Sequence, residues 1–583
     1  MSIATWASAV ALAASSQSAW AQAVPPSAIP NPSVPTREVV NPPATPTQPA
    51  PAARVRVTGG ESVTAGPCPL TGSDVRTAIT AVRFVAANGE AMPPELTRLL
   101  AGITPPPGDQ PISVVCTLRD QAQARLRAAR YVASIQIPQQ RIGDGVLQLN
   151  VVWGHIKEVR VRGDAGPYED LVRRRIELLK ALDPLNEADA ERVLLLADDI
   201  PGLSVSLALS PEGSGPGELI GDLSVRFERF RVFGNVQNYN SRFLGRETAF
   251  VRGEIYGLTG MGDVTSLSLS STLDFDEQKI AQLRHTTVID RGGDTISLVG
   301  TIAKSKPDLD LLDLRTLSII GGIEASHPLV RTVRQQVSIS TGLEYATQRT
   351  RVYGQGESSP LNRDRIAAAY LRLDAAARKF DFAGQPTVQL SGSLELRKGL
   401  DILGATTKPS SNGYNLTRFD GDATATVVRG NVQGVVNIGP VAEFFAAARG
   451  QWANHALLNY DEFSIGNLTI LRGYDPGANT GDRAVGFTVE PRANIRFSDD
   501  ASAQVFGFYE GVQLWNLDTG STEKKRYLAS LGGGVRVNLL RSMRLDLTYT
   551  HPLDPPLLAG TDVSPPGDRV LASLTIQLVP FGR

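Results

Sequence analysis

The segment Val388-Gln389-Leu390-Ser391-Gly392-Ser393-Leu394-Glu395-Leu396-Arg397 decides how the chain is read: every second residue is apolar or glycine, and those between are polar or charged. Side chains of a β-strand point alternately to the two faces of a sheet, so this segment presents one apolar and one polar face. The pattern returns where Val337, Ile339, Thr341, Leu343 and Tyr345 oppose Ser338, Ser340, Gly342 and Glu344, and where Met543, Leu545, Leu547 and Tyr549 oppose Arg544, Asp546 and Thr548. Near the end, Ala572, Leu574, Ile576 and Leu578 alternate with Ser573, Thr575 and Gln577. A soluble sandwich produces such a dyad too. Charges recurring on the second face of long strands instead fit a transmembrane β-barrel, with lipid outside and water or a plug inside. Beyond residue 230 helical periodicity disappears, and about 16 antiparallel strands fit at roughly 22 residues per strand and connection.

Composition excludes several other classes. The chain has 583 residues, with 58 basic and 59 acidic side chains, so no net charge draws it to nucleic acid. No interior stretch approaches the 18 or more apolar residues of a spanning helix, and membrane insertion has to use strands. The five histidines, His155, His285, His327, His455 and His551, lie far apart without metal-ligand spacing, so no metal is expected. No nucleophile elbow or complete phosphate-binding loop occurs, and Gly532-Gly533-Gly534 sits inside an alternating strand, where close backbone packing explains it better than phosphate binding. Neither an enzyme nor a cofactor is called for.

Residues 1–23 read as a secretory signal: the apolar run Ala7 to Ala14 precedes Ala21-Gln22-Ala23, which suits cleavage after Ala23. Residues 24–53, rich in Pro, Ala and Thr, read as an extended linker. The two cysteines, Cys68 and Cys116, can close one disulfide in an oxidising compartment, worth roughly 3 to 4 kcal/mol in the chain-entropy model. Two buried thiols are the alternative.

Between residues 74 and 228 the order strand, helix, helix, strand, strand occurs twice. In the second copy Val159 and Val161 mark a half-buried strand, Val172, Ile176 and Leu179 a helix face, and Asn186 the cap of a second helix that Pro201-Gly202 stops. Leu203, Val205, Leu207 and Leu209 alternate with polar or small residues, and Leu219 to Phe227 alternates again. The first copy has a strand near Ile79 to Phe84, helices near Pro94 to Gly102 and Leu118 to Arg130, then strands Tyr131 to Ile137 and Val146 to Trp153. The domain layout is thus 54–154 and 155–228 for the two α+β modules and 229–583 for the barrel.

One arginine inside the alternating region needs an explanation. It belongs to Phe463-Ser464-Ile465-Gly466-Asn467-Leu468-Thr469-Ile470-Leu471-Arg472-Gly473-Tyr474. This run resembles the conserved-loop signature of TpsB transporters, the outer-membrane pores of two-partner secretion, in which an Arg-Gly-Tyr tip folds back inside the barrel. Asn238 to Gly245 is similar to the segment opening that family's barrel, with Phe243 where tyrosine is common, and the tandem modules resemble its two POTRA domains. Phe508-x-Glu510 resembles the F-x-D wall motif that receives the arginine, although Glu replaces Asp and Val512 stands where glycine is expected. Phe581, two residues before the end, departs from the usual terminal aromatic.

The resemblance implies a chain in the cell outer membrane with its modules in the periplasm. Leu471, Arg472, Gly473 and Tyr474 would form the plug tip, with Phe508 and Glu510 as its wall partner. The module edges, Tyr131, Ile135 and Ile137 and Leu203, Val205 and Leu207, would grip the client by adding a strand. Its partners would be one large unfolded exoprotein, TpsA-like and β-helical once outside, together with outer-membrane lipids and the barrel assembly machinery. Many TpsB proteins carry a plugging helix near the mature N-terminus, which the Pro-rich stretch 24–53 does not look able to form. The alternative function is an assembly factor that inserts other barrels, which shares the Arg-Gly-Tyr loop but usually has more than two modules.

Overall fold

A computed structural model describes residues 36–40, 55–57, 68, 70 and 73–580, apart from 214, 291, 310–311, 355–356, 383, 408–413, 521–522, 541 and 557–564. The signal segment 1–23 and Phe581 lie outside the described residues.

Sixteen antiparallel strands, from Phe230–Gln237 to Arg569–Val579, close into a barrel. Closure comes from the first strand pairing with the last, with Val236 opposite Leu574 and Gly234 opposite Ile576. The two faces of each wall strand are inverted relative to a water-soluble sheet. Leu394 and Leu396 are 55% and 49% exposed while Arg397 and Glu395, on the other face of the same strand, are 1% and 9% exposed. Leu343, Leu390, Val432 and Val485 repeat the pattern on other strands. An apolar belt facing outward around a charged interior is stable only against hydrocarbon, and closure leaves no strand edge unpaired there. No helix among the described residues is long and apolar enough to cross a membrane.

The two α+β modules precede the barrel. In the first, strand Ala81–Ala86 pairs in parallel with Val146–Trp153, which pairs antiparallel with Ala133–Gln136. Helices Pro94–Leu100 and Val114–Ala128 pack on this sheet through Leu96, Leu100, Leu118 and Leu126, all buried. Cys68 and Cys116 are joined by a disulfide that fastens the start of the module to the second of these helices. In the second module, strands His155–Asp164, Leu203–Pro211 and Glu218–Phe227 carry helices Glu169–Lys180 and Glu187–Asp198. Asn186 caps the latter, its side-chain oxygen accepting the Ala188 N–H at 2.9 Å.

The second module sits on the hairpin turns at one end of the barrel. Asp199 accepts two hydrogen bonds from the Arg331 guanidinium at 2.6 Å, Glu191 accepts the Val333 N–H at 2.8 Å, and the Tyr168 hydroxyl donates to the Asp263 carbonyl at 2.9 Å. The long connections lie at the other end.

Three expectations are corrected. The edge formed by Leu203–Pro211 is not open along its length: Val55–Val57 pairs with it in parallel, placing Val55 opposite Leu207 and Val57 opposite Leu209. Leu203, Val205 and Leu207 themselves point into the module core, at 4%, 6% and 1% exposure, so any strand added there would be held by backbone groups alone. Residues 55–57 therefore belong to the sheet of the second module rather than to the first. Secondly, the first module's edge strand is shorter than its alternation suggests. Tyr131 and Ile137 fall outside Ala133–Gln136, and Tyr131 forms an isolated bridge with Asn186. Thirdly, the Pro-rich segment contains a helical turn, Arg37–Val40, lodged in the barrel lumen. Val40 is fully buried among Ile280, Ile320, Ile366 and Tyr460, and Arg37 lies 3.7 Å from Glu344 and 3.9 Å from Glu395. Four residues need no helical periodicity when the surrounding wall supplies both the apolar socket and the counter-charge.

Candidate functional site

Between strands Ala442–Ala453 and Arg483–Arg496 the chain leaves the wall and folds back into the lumen. Its hairpin begins with Phe463–Ser464 paired to Thr480–Gly481. Gly466 then adopts φ 128°, and a Cβ there would stand 2.5 Å from the Pro476 Cα, so only glycine lets the two limbs of the loop approach. Leu471, fully buried, holds φ 72° and turns the next N–H toward the wall.

Arg472 is bound there by two carboxylates. Its backbone N–H donates to Glu510 Oε2 at 2.7 Å, its Nε to Glu510 Oε1 at 2.8 Å and its Nη2 to Glu490 Oε2 at 2.8 Å. The guanidinium lies 3.9 Å from the Phe508 ring centroid, a cation–π contact that covers its apolar face. Glu490 is also bonded by Arg492 Nε at 2.7 Å and Arg536 Nη1 at 2.6 Å, and Arg492 reaches Glu443 at 2.6 Å. Each buried charge thus meets opposite charge, which removes the several kcal/mol that an isolated one would cost. Tyr474 donates to the carbonyls of Ala529 at 3.0 Å and Asp554 at 2.8 Å. Gly473 passes so close to the wall that a Cβ would lie 3.0 Å from the Ser530 Cβ. The structure therefore brings Leu471, Arg472, Gly473, Tyr474, Phe508 and Glu510 together.

Val512, which departs from the resemblance, has a compensating neighbour. It is fully buried against Ile470, and the residue opposite it is Gly486. Gly532 and Gly534 make comparable room, since a Cβ at either would meet the Phe508 or Phe506 ring within 3 Å.

Sequence reading missed three further anchors. Asp461 pairs with Arg397 at 3.1 Å and Arg429 at 3.0 Å, both from the wall. Asp475, next after Tyr474, forms an ion pair with Arg569 at 2.6 Å and accepts from Arg246 at 3.3 Å, while Asn467 donates to the Tyr239 carbonyl at 2.8 Å. Together they tie the loop to the barrel's closing seam and to the Asn238–Gly245 segment. At the mouth, the nearly buried Arg418 binds Glu462 at 2.9 Å, Asp482 and Asp518, joining three connections. The sequence signal for Glu490 was its spacing, since Glu490 and Arg492 are two apart and share one strand face.

The profile of the haemolysin secretion/activation protein ShlB/FhaC/HecB family matches residues 224–537, more than half of the chain. The chain belongs to the ShlB/FhaC/HecB family. Such proteins are TpsB-type barrels of the bacterial outer membrane, pores rather than enzymes. The haem/hemopexin transporter protein HuxB of Haemophilus influenzae is 24% identical over 165 residues, 27% of this chain and 28% of that one, so the match spans well under a third of that relative's length. The fold is shared with CdiB from Escherichia coli, at TM-score 0.68 and 14% identity over 88% of this chain and 92% of that one. CdiB from Acinetobacter baumannii gives 0.60 and 13% over 90% and 94%. Within this ShlB/FhaC/HecB barrel the loop tip is tied to the wall by the pairing of Arg472 with Glu490 and Glu510.

Proposed function

We propose that this chain is the outer-membrane pore of a two-partner secretion pair, which captures an unfolded exoprotein in the periplasm and passes it to the cell surface. The observation that carries this reading is the way the lumen is closed. Beside the apolar contacts of Ile470 and Leu471 with the wall, Arg472 is held by Glu510 and Glu490 through hydrogen bonds, and such contacts exchange with water or a passing polar chain. A permanent plug needs no exchangeable lock; a gate does.

The capture step falls to the modules. Ala133–Gln136, around Ile135 and between Tyr131 and Ile137, is one sheet edge of the first module, where the Gln123 side chain accepts the Ile135 N–H at 2.9 Å and donates to the Ala133 carbonyl at 2.7 Å; in the second module Leu203 to Ser206 precede the stretch paired with Val55–Val57, and Asp198 accepts the Val205 N–H at 3.1 Å. An extended client would add to either as a further strand by displacing the Gln123 or Asp198 side chain. With the modules in the periplasm, where no nucleotide is available, folding of the client outside supplies the drive. The chain itself reaches its place through the barrel assembly machinery and is solvated by outer-membrane lipids.

Comparing proteins secreted by wild-type and deletion strains tests this. Loss of a single large exoprotein from the medium is expected. A general loss of outer-membrane barrels would favour an assembly factor instead.

A further inference from the structure

The outward face of the barrel carries its cations unevenly. Leu343 and Leu371 face outward, so on the strands Gln335–Gly354 and Glu357–Phe380 the odd-numbered positions around them share that face, which places Arg349, Arg351, Arg363 and Arg365 outside. The inward positions among them, Gln348, Thr350 and Asp364, are buried, as the alternation requires. Lys304 and Arg315 stand outward on the two preceding strands and Lys398 on the following one, all toward the end opposite the modules. Across the six strands from Gln278 to Leu400, the outward positions of the described residues hold one carboxylate, Asp313, already bound by Arg315 at 2.6 Å. On the other ten strands the outward face is apolar or uncharged except for Arg483 and Lys525.

Single cations at a membrane boundary snorkel and need no ligand. Arg349 and Arg363 are different, because they are directly opposed across the strand pair, where like charges repel at a Cβ separation of about 5 Å. Neither they nor Arg365 has an ion-pair partner among the described residues, and the Nε atoms of Arg363 and Arg365 are buried without a hydrogen-bond acceptor. Arg351 is held open beside them by Ser358 and by the Tyr414 hydroxyl, which accepts from its Nη1 at 2.9 Å. Arg349 lies six positions past Leu343, about 14 Å further along the membrane normal for a strand tilted by about 45°. That is the height at which acyl chains give way to headgroups.

We propose that this cluster binds the phosphorylated headgroup of a lipid in the leaflet opposite the modules, with the acyl chains lying on the leucine belt below. With the orientation of the proposed function, that leaflet is the outer one, and the lipid class is the phosphorylated acyl-glycolipid, lipid A. Guanidinium forks match phosphate oxygens in pairs, and one phosphate between Arg349 and Arg363 turns a repulsion into two charge-assisted contacts. Among the described residues of these six strands Asp313 is the only outward carboxylate to oppose it, and Arg315 neutralises that.

The full-length purified protein, in detergent and without any client, is mixed with bis-phosphorylated lipid A and followed by native mass spectrometry. The wild type is expected to retain the lipid, and R349Q/R363Q/R365Q to bind it at least about tenfold more weakly. Arg483→Gln, on the sparsely charged side, should bind as wild type does. Heat-modifiable migration on gels verifies that each variant has a closed barrel, and the single Arg363→Gln, which leaves the inner wall untouched, should weaken binding in the same direction. Equal binding of dephosphorylated lipid A, of phosphatidylglycerol vesicles or of inorganic pyrophosphate would overturn the assignment, as would unchanged binding by a folded triple variant. Because no transport is measured, such a result would leave the secretion reading standing.

Discussion

Gly486 lies directly opposite Val512, and the missing side chain at 486 is what allows Val512 to pack against Ile470 of the loop. A Cβ on Gly486 would come within 2.5 Å of Val512 Cγ2 and 2.8 Å of Ile470 Cδ1. Overpacking of this kind costs about 1 to 3 kcal/mol. Gly486→Ala should therefore push the loop tip off the wall and raise single-channel conductance in planar bilayers. Adding Val512→Gly should restore most of the closed state. An unchanged conductance for Gly486→Ala would mean that the loop does not close the lumen here.

Arg472→Ala leaves Glu490 and Glu510 short of a cation, although Arg492 and Arg536 still neutralise Glu490. The loss therefore falls mainly on Glu510, which has no other cation within salt-bridge distance among the described residues. Conductance should rise and exoprotein in the medium should fall, whereas Glu490→Gln should have a milder effect. Reversal of one charge, Arg472→Glu or Glu510→Arg, should impair secretion, and the double reversal should recover part of it. Normal secretion by Arg472→Ala would remove the loop from the mechanism.

Residues Val55–Val57 compete with any strand that adds to Leu207–Leu209. Replacing them with glycine and serine keeps the tether but weakens the pairing, since both residue types lower strand propensity. Client segments should then bind the full-length protein more tightly, by roughly three- to tenfold for a difference of about 1 kcal/mol. Fluorescence anisotropy with a labelled client peptide measures this, and an unchanged affinity would show that the client binds elsewhere.

The disulfide Cys68–Cys116 spans a sequence separation of 48. Its removal by the double serine variant should lower the stability of the first module by roughly 3 to 4 kcal/mol. Limited proteolysis should then cut within residues 68–153 at a lower protease concentration while the barrel stays intact. Equal resistance of the two proteins would assign the bridge no stabilising role.

Much of the barrel was legible in the sequence because alternation is local: Leu394 and Arg397 declare their opposite faces within a few residues. The tip was legible through Arg472, since a guanidinium in a lumen demands a carboxylate, and Glu510 stood on an inward face. Partners drawn from distant strands were not. Glu490 joins Arg472, Arg492 and Arg536 only once three strands are placed in register, and no single strand carries that register. Val55–Val57 is three residues long, too short for any period, and its pairing with Leu207–Leu209 is a long-range event. The helical turn Arg37–Val40 was hidden for the same reason. Its stability comes from the socket around Val40 and the Arg37 contacts with Glu344 and Glu395, none of which is local.

Arg418 ties the mouth of the lumen together apart from the tip. It is one cation among Glu462, Asp482 and Asp518, so its removal leaves three buried carboxylates without their counter-charge and costs about 3 to 5 kcal/mol. The connections that these residues anchor form the mouth of the lumen, far from the modules. Arg418→Ala should loosen them together and let large antibiotics such as vancomycin enter cells, even with Arg472 still seated. Arg418→Lys should rescue only in part, because an ammonium cannot present two planar edges to three carboxylates at once. If Arg418→Ala changes neither antibiotic entry nor conductance, the mouth is held by other contacts and Arg472 closes the pore alone.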